Sequence, residues 1–303
     1  MKIAAYFNSK ITAINLLLVL YGVLPRYLYA QETSLTNFKI VDTKNNKEIS
    51  LNQLTKKLKK ADVIFFGEEH NDSIGHLLEF ALLKQLYERY QQIGLSMEMF
   101  QSDTQLVLDE YLNDIITEAN FRRDGKLWNN YDDYQKLITY AKENKIPVLA
   151  ANAPSRYTNS VTRNGLQSLG ILSDSAKQLI APLPIDTLTG RYYEKFMALM
   201  GNHQAANGMN FYQSQNLWDA TMAYRISNFN KQFQIKIVHI TGRFHCDEKL
   251  GTYQQLQKYA PELKLVNISC FPNDSTESQA QEKEENTTLA DFIIYTTPHH
   301  QEE

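Results

Sequence analysis

One segment sets the expected architecture of this 303-residue chain: Val63-Ile-Phe-Phe-Gly-Glu-Glu-His-Asn-Asp-Ser-Ile-Gly-His76. Its first four residues are apolar, and such a short run of β-branched and aromatic side chains predicts a buried strand. Residues 71–73 are types that cap helices, and an apolar pattern at helical spacing begins at Ile74. Two carboxylates and a histidine therefore fall between a strand and a helix, where open α/β sheets bind ligands.

Three further segments, residues 94–100, 146–151 and 235–240, have the composition of strands. Helical patterns separate them, including the helix that begins at Ile74 and a predicted helix over residues 104–116. Alternation of strands and helices on this scale predicts an α/β fold, with a mostly parallel central sheet flanked by helices.

Residues 31–303 are expected to form a single domain, since a hydrophobic content of 43% can bury a large core. Helical patterns without a clear strand predict a helical cap over about residues 155–230. The segment at about residues 273–288 is polar and acidic, which indicates a loop. A net charge of −3 argues against a nucleic-acid partner, because such proteins usually carry a basic face.

The N-terminal segment resembles a targeting sequence. Lys2 and Lys10 precede an apolar run over about residues 11–24, and small or polar residues follow near Ala30. This pattern predicts a signal peptide over residues 1–30 and export to the periplasm or cell envelope. An uncleaved membrane anchor is the alternative, although the run is short for a span. Lipid anchoring is not expected, because no cysteine lies near the expected cleavage point.

The chain has two cysteines, Cys246 and Cys270. Both follow predicted strands, so they could be neighbours in the sheet. In an exported protein a disulfide is one expectation, and two free buried thiols are the other.

Polar side chains follow the predicted strands at one end. The carboxyl ends of parallel strands open on a single edge of a sheet, so these side chains are expected to meet there. They are Glu68, His70, Glu98, Asn152 and His245. Such a set suits either a divalent metal or general acid–base chemistry.

Glu98 lies in an apolar run, where an unpartnered carboxylate is costly; we expect it to be functional, or to bond a helix N-terminus or an arginine. His76 is either a surface histidine or an auxiliary site residue.

Five segments carry a family pattern, in order along the chain: Gly67-Glu-Glu-His70, Met97-Glu-Met-Phe100, Ile146-Pro-Val-Leu-Ala-Ala-Asn-Ala-Pro154, Leu217-Trp-Asp219 and Gly242-Arg-Phe-His245. Together they resemble the ChaN-like haem-binding proteins, which share a superfamily with Tiki proteases and erythromycin-esterase-type hydrolases. The resemblance covers about residues 38–296. The chain departs from this family pattern in two ways. The usual lipoprotein cysteine is missing, and Phe244 and Cys246 stand where small and aliphatic residues are commoner.

The resemblance implies an exported haem-binding protein of a haem or iron uptake system. It implies haem as cofactor, a homodimer, and outer-membrane haem-uptake components as partners. An imidazole or a tyrosinate would ligate the iron, and Arg156 or Arg243 would pair with a propionate. Phe244 would either pack on the porphyrin or fill the pocket and exclude it. The expected cofactor-binding residues are His70, His76, Asn152, Arg243, Phe244 and His245.

The hydrolase relatives imply an alternative function. A metal-dependent hydrolase, protease-like or esterase-like, would use Glu68, His70, Glu98 and His245 as catalytic and metal-binding residues that activate water. A third interpretation, a structural envelope protein, is disfavoured because converging charged groups are costly to retain without a ligand.

Overall fold

The computed structural model describes residues 37–200, 208–273 and 288–297. The chain divides into a unit of residues 1–34 and a unit of residues 35–303, and every described residue belongs to the second. The predicted signal peptide therefore lies outside the described residues, as does almost all of the predicted acidic loop. No helix in the described part of the chain is both long and apolar enough to cross a membrane.

Eight strands in the described residues form one sheet. Their bounds are β1 Phe38–Asp42, β2 Lys47–Ile49, β3 Val63–Glu68, β4 Ile93–Gln101, β5 Val148–Asn152, β6 Lys236–Gly242, β7 Leu265–Pro272 and β8 Phe292–Thr296. The strand order is β2-β1-β8-β7-β3-β6-β4-β5. The six strands from β8 to β5 are parallel, and β1 and β2 pair antiparallel at one edge. The predicted fold class, a mostly parallel sheet flanked by helices, is confirmed.

Four of the ten α-helices in the described residues begin at a side-chain cap. The bounds of all ten are α1 Leu51–Lys57, α2 Ser73–Tyr90, α3 Gln105–Leu112, α4 Glu118–Asp124, α5 Tyr131–Glu143, α6 Ser155–Asn164, α7 Asp174–Lys177, α8 Arg191–Met200, α9 Gly208–Phe233 and α10 Gly251–Tyr259. The Asp72 carboxylate accepts a hydrogen bond from the Ile74 amide at 3.0 Å, which satisfies a free N–H at the start of α2. This cap fixes the direction in which α2 leaves the end of β3.

The predicted helix over residues 104–116 is wrong in extent. The structure ends α3 at Leu112 and begins the next helix, α4, at Glu118, with Asp114 between them at a φ of 59°. Residues with a side chain rarely adopt this left-handed conformation, so the helix cannot continue through Asp114. The Thr117 hydroxyl then accepts from the Asn120 amide and caps α4.

Both faces of the sheet are covered, as expected for parallel strands. Along β3, Ile64 and Phe66 belong to the larger core, which includes apolar residues of α1, α2, α3 and α5. The alternate residues, Val63 and Phe65, pack on the opposite face with apolar residues of α9 and α10. Because helices cover both faces, polar groups that follow these strands are left to gather at the strand ends.

The two cysteines are free and buried, so a disulfide is not formed. Cys246 follows β6 and Cys270 lies within β7. Of the two alternatives that the sequence left open, free thiols are confirmed.

Candidate functional site

Strand order brings the predicted polar residues to one rim. β3, β6 and β4 are adjacent, and Glu68 of β3 is in register with Gly242 of β6. Met97 of β4 is in register with Ile240, which places Glu98 beside the last residues of β6. His70 and His245 follow directly in the turns after β3 and β6. We refer to Glu68, His70, Glu98 and His245 as the rim.

Glu68 is the last residue of β3 and is buried. Its Oε1 accepts hydrogen bonds from the Tyr134 hydroxyl and from Nδ1 of His70, each at 2.7 Å. Burial alone would raise the pKa of Glu68, but contacts with Glu79, His70 and His76 outweigh it and lower the pKa. The carboxylate is therefore positioned to orient the His70 ring.

His70 is the exposed imidazole of the rim, with 44% of its side chain accessible. Its ring lies against Gly242, where an added Cβ would be 2.8 Å from Nε2 and 3.7 Å from Oε2 of Glu98. A Cβ at this position would therefore displace the imidazole from where it lies. Trp128 packs edge-on to the ring, with centroids 5.1 Å apart. Burial opposes protonation of His70, yet the hydrogen bond to Glu68 and the charge of Glu98 raise its pKa.

Glu98 is buried and fully engaged at the end of β6. Its Oε2 accepts from the Thr241 hydroxyl at 2.6 Å and from the Gly242 amide at 2.8 Å, and Oε1 lies 3.4 Å from Nε2 of His245. Gly242 is the N-cap of the short 3-10 helix Arg243–His245, so the expected partner at a helix N-terminus is found. No arginine bonds Glu98 among the described residues. Burial opposes ionisation, but His245 and the other contacts lower the pKa of Glu98 to about 2.

His245 lies at the end of a buried chain of polar contacts. Its Nδ1 is 2.7 Å from Oδ1 of Asp219, and the Tyr192 hydroxyl donates to Oδ2 of Asp219 at 2.6 Å. Thr252 also donates to Asp219, at 2.9 Å. Burial would lower the pKa of His245, but the charges of Glu98 and Asp219 raise it to about 10. Both imidazole nitrogens therefore face carboxylates.

His76 is buried beneath the rim and is not a surface histidine. Its Nε2 lies 3.2 Å from the carbonyl oxygen of His70. Its Nδ1 is 3.1 Å from Oε2 of Glu68 and 3.5 Å from Oε2 of Glu79. The two histidines of the opening segment thus lie on opposite sides of Glu68.

Two predicted residues have other partners. Asn152 is the last residue of β5, and its Oδ1 accepts a hydrogen bond from the amide of the next residue, Ala153, at 2.8 Å. Arg156, on α6, forms an ion pair with Asp103. In the described part of the chain, no hydrogen bond or ion pair joins either residue to the rim.

Arg243 and Phe244 flank the rim. Arg243 donates to Asp247 at 2.7 Å, and its guanidinium lies 4.0 Å from the ring centroid of Phe271. Phe244 packs on Tyr192 of α8, with centroids 5.3 Å apart. Phe244 therefore belongs to a cluster with the cap helix, whereas Nη1 of Arg243 lies 3.4 Å from Oε1 of Glu69.

Three residues of this network were missed by the sequence analysis. Glu79 follows His76 by three residues, a spacing that puts both on one helix face and was readable. Asp219 lies in a family motif, but no role was assigned to it. Tyr134 is one of 18 tyrosines, and nothing in the sequence distinguishes it.

Comparisons with known proteins agree with this fold. A family model described as "Haem-binding uptake, Tiki superfamily, ChaN" matches residues 54–256. Campylobacter jejuni ChaN, for which cofacial heme binding is described, has the same fold with a TM-score of 0.67; at 18% identity the match covers 87% of this chain and 98% of that one. A Bacillus cereus protein aligns with a TM-score of 0.50 and 12% identity, covering 82% of this chain and 92% of that one.

A curated relative from Arabidopsis thaliana, Protein RETICULATA-RELATED 5, chloroplastic, is 24% identical over 141 residues, 42% of this chain. The chain spans only 18% of that protein's length. The family match is broader, since residues 54–256 are more than half of the 303 and include the whole rim. The protein belongs to the ChaN family of haem-binding uptake proteins in the Tiki superfamily.

Proposed function

We propose that this protein binds haem at the rim, as an exported component of a haem or iron uptake system. The observation that carries the proposal is the match of residues 54–256 to a haem-binding uptake family. All four rim residues lie within that match. The fold shared with Campylobacter jejuni ChaN, for which cofacial heme binding is described, is consistent with it.

His70 is the side chain of the rim that best fits haem iron. Proteins hold haem iron through imidazole or phenolate ligands, among others. In the described part of the chain no hydrogen bond engages Nε2 of His70, while Nδ1 is held by Glu68 at 2.7 Å. A ligating imidazole usually bonds a carboxylate or carbonyl through its other nitrogen, which fixes its orientation and raises its basicity. His70 therefore presents Nε2 in a defined direction.

His245 fits this role less well. Only 9% of its side chain is exposed, and its two nitrogens face Asp219 and Glu98. Ligation through Nε2 would leave the buried Glu98 without its cationic partner, at an energetic cost. We assign His245 to holding Glu98 in place. Bound haem would supply an iron centre and two apolar faces, and Arg243 is the rim-side cation for a propionate.

A haemin titration followed by absorbance tests the proposal. Wild-type protein is expected to give a shifted Soret band, and His70→Ala is expected to weaken binding by at least about tenfold through loss of the imidazole. His299→Ala, which removes a histidine near the C-terminus, is the control and should bind like wild type. A free-haemin spectrum in excess wild-type protein would remove the haem proposal. Unchanged binding by His70→Ala would overturn the ligand assignment.

A negative titration would favour the hydrolase alternative. The relevant geometry is the buried line from Asp219 through His245 to Glu98, with contacts of 2.7 and 3.4 Å. In this arrangement Asp219 orients the imidazole of His245, which together with Glu98 supplies an acid–base pair at the rim.

Export, homodimer formation and contact with outer-membrane uptake components belong to the same proposal. Support for export is the pattern of residues 1–30, where an apolar run follows two lysines. Expression of the full chain should yield envelope-associated protein whose mature N-terminus lies near residue 31. Recovery from the cytosol with Met1 intact would contradict export. Sedimentation with and without haemin tests the dimer.

A further inference from the structure

A second group of ligating side chains lies beneath the rim. His76 and Glu79, three residues apart on α2, face Glu68 at the end of β3. All three residues are buried, and Glu79 has no exposed surface. One ligand atom from each residue lies within 4.8 Å of the other two. We call Glu68, His76 and Glu79 the inner cluster.

Four polar atoms of the inner cluster lack hydrogen-bond partners. Both oxygens of Glu79, Oε2 of Glu68 and Nδ1 of His76 are buried with no hydrogen bond. Native proteins satisfy nearly all such atoms, because a buried unpaired polar group costs free energy. A positively charged species between these atoms would remove that cost.

The contact on the other side of His76 indicates its tautomer. Nε2 lies 3.2 Å from the carbonyl oxygen of His70, which can only accept, so Nε2 carries a proton. Nδ1 faces carboxylate oxygens of Glu68 and Glu79 at 3.1 and 3.5 Å, which raise the pKa of His76 to about 11 against its burial. A bound cation would displace the Nδ1 proton and take up the lone pair that it leaves. A histidine that ligates a metal usually donates its other N–H to a carbonyl or carboxylate in this way.

We propose that the inner cluster binds one divalent transition-metal ion, independently of haem. Ligand bonds of about 2.0–2.1 Å in a tetrahedron give ligand-to-ligand distances of about 3.3 Å. The observed separations of 3.1 and 3.5 Å bracket that value. One imidazole and two carboxylates favour zinc, manganese or ferrous iron over magnesium and calcium. This site differs from the predicted metal set, with which it shares only Glu68.

A proton is the competing occupant. If Glu79 were protonated it would donate to Glu68, and burial together with the charge of Glu68 does raise the pKa of Glu79. The two occupants respond differently to Glu79→Gln. A glutamine amide can replace a protonated acid as a donor, but it cannot replace a charged metal ligand.

The metal content of the purified protein distinguishes a bound metal ion from a bound proton. The full chain is purified without chelators and its zinc, manganese and iron are measured by mass spectrometry, with iron counted beyond any haem. Wild type is expected to hold about one ion per chain, and Glu79→Gln and His76→Gln at least about tenfold less. Glu88→Gln, which removes an exposed carboxylate from the same helix, is the matched control and should retain the ion.

Thermal unfolding gives a second measurement. A chelator should lower the melting temperature of wild type and leave Glu79→Gln unchanged, because a bound ion stabilises only the folded state. Wild type with less than about a tenth of an ion, or Glu79→Gln with wild-type metal, would overturn the proposal. Loss of metal in Glu98→Gln but not in Glu79→Gln would move the ion to the rim. The haem proposal is tested separately, by haemin titration of wild type and His70→Ala, so failure of the metal proposal leaves it standing.

Discussion

Replacing Asp219 with alanine should lower the free energy of unfolding by roughly 3–5 kcal/mol, the cost typical of removing one partner of a buried ion pair. Asp219 is fully buried on α9. It accepts from Tyr192 of α8, from His245 after β6 and from Thr252 of α10, at 2.6, 2.7 and 2.9 Å. The substitution leaves these donors buried without that acceptor, so three separate parts of the fold lose a shared contact.

Urea unfolding followed by circular dichroism measures this cost. Asp186→Ala is the control, because Asp186 is an exposed carboxylate that pairs with Lys258 at 3.0 Å. An exposed pair contributes at most about 1 kcal/mol. A loss below about 1 kcal/mol for Asp219→Ala as well would show that the buried network does not stabilise the fold.

Acid should destabilise the wild-type protein through His239. This residue has no exposed surface, and its Nδ1 lies 3.0 Å from the Ser96 hydroxyl. Burial lowers the pKa of His239 to about 4, against the opposing charge of Glu98. The unfolded chain takes up this proton near pH 6.5, whereas the folded chain takes it up only near pH 4. The stability present above pH 6.5 is therefore lost as the pH falls toward 4, by about 3 kcal/mol.

His239→Gln isolates this effect, because glutamine keeps a polar group toward Ser96 but does not titrate. Unfolding free energies of wild type and variant are measured at pH 7, 5.5 and 4. Every other titrating group contributes to both proteins, so the difference between the two curves reports His239. As the pH falls, the unfolding free energy of wild type should decrease more than that of His239→Gln. Parallel curves would show that His239 is not held neutral in the folded state.

Much of the fold could be predicted because apolar runs of strand length are distinctive. The run at Val63–Phe66 predicted β3, which the structure extends to Glu68. The meeting of Glu98 with His245 followed from topology, since carboxyl ends of parallel strands share an edge. The adjacency of β6 and β4 then supplied the contact, although the two residues are far apart in sequence.

The rest depended on packing that a sequence does not display. Tyr134 reaches Glu68 only because α5 lies against α2, and a helix pattern does not specify which neighbour it meets. The break at Asp114 came from a single backbone angle within an apolar pattern. The residue in the sequence that indicates a new helix after this break is Thr117, whose side chain caps the N-terminus of α4.

The two buried thiols allow the opening of the folded molecule to be timed by chemical modification. Cys246 and Cys270 are the chain's two cysteines, both free, and burial raises the pKa of each. The thiolate is the nucleophile that attacks alkylating reagents, so the reaction needs solvent access and a lower pKa of the thiol. Folded molecules should therefore stay unmodified while opened ones gain two adducts, so intact-mass spectra after a reagent pulse would time the opening of each variant without any optical probe.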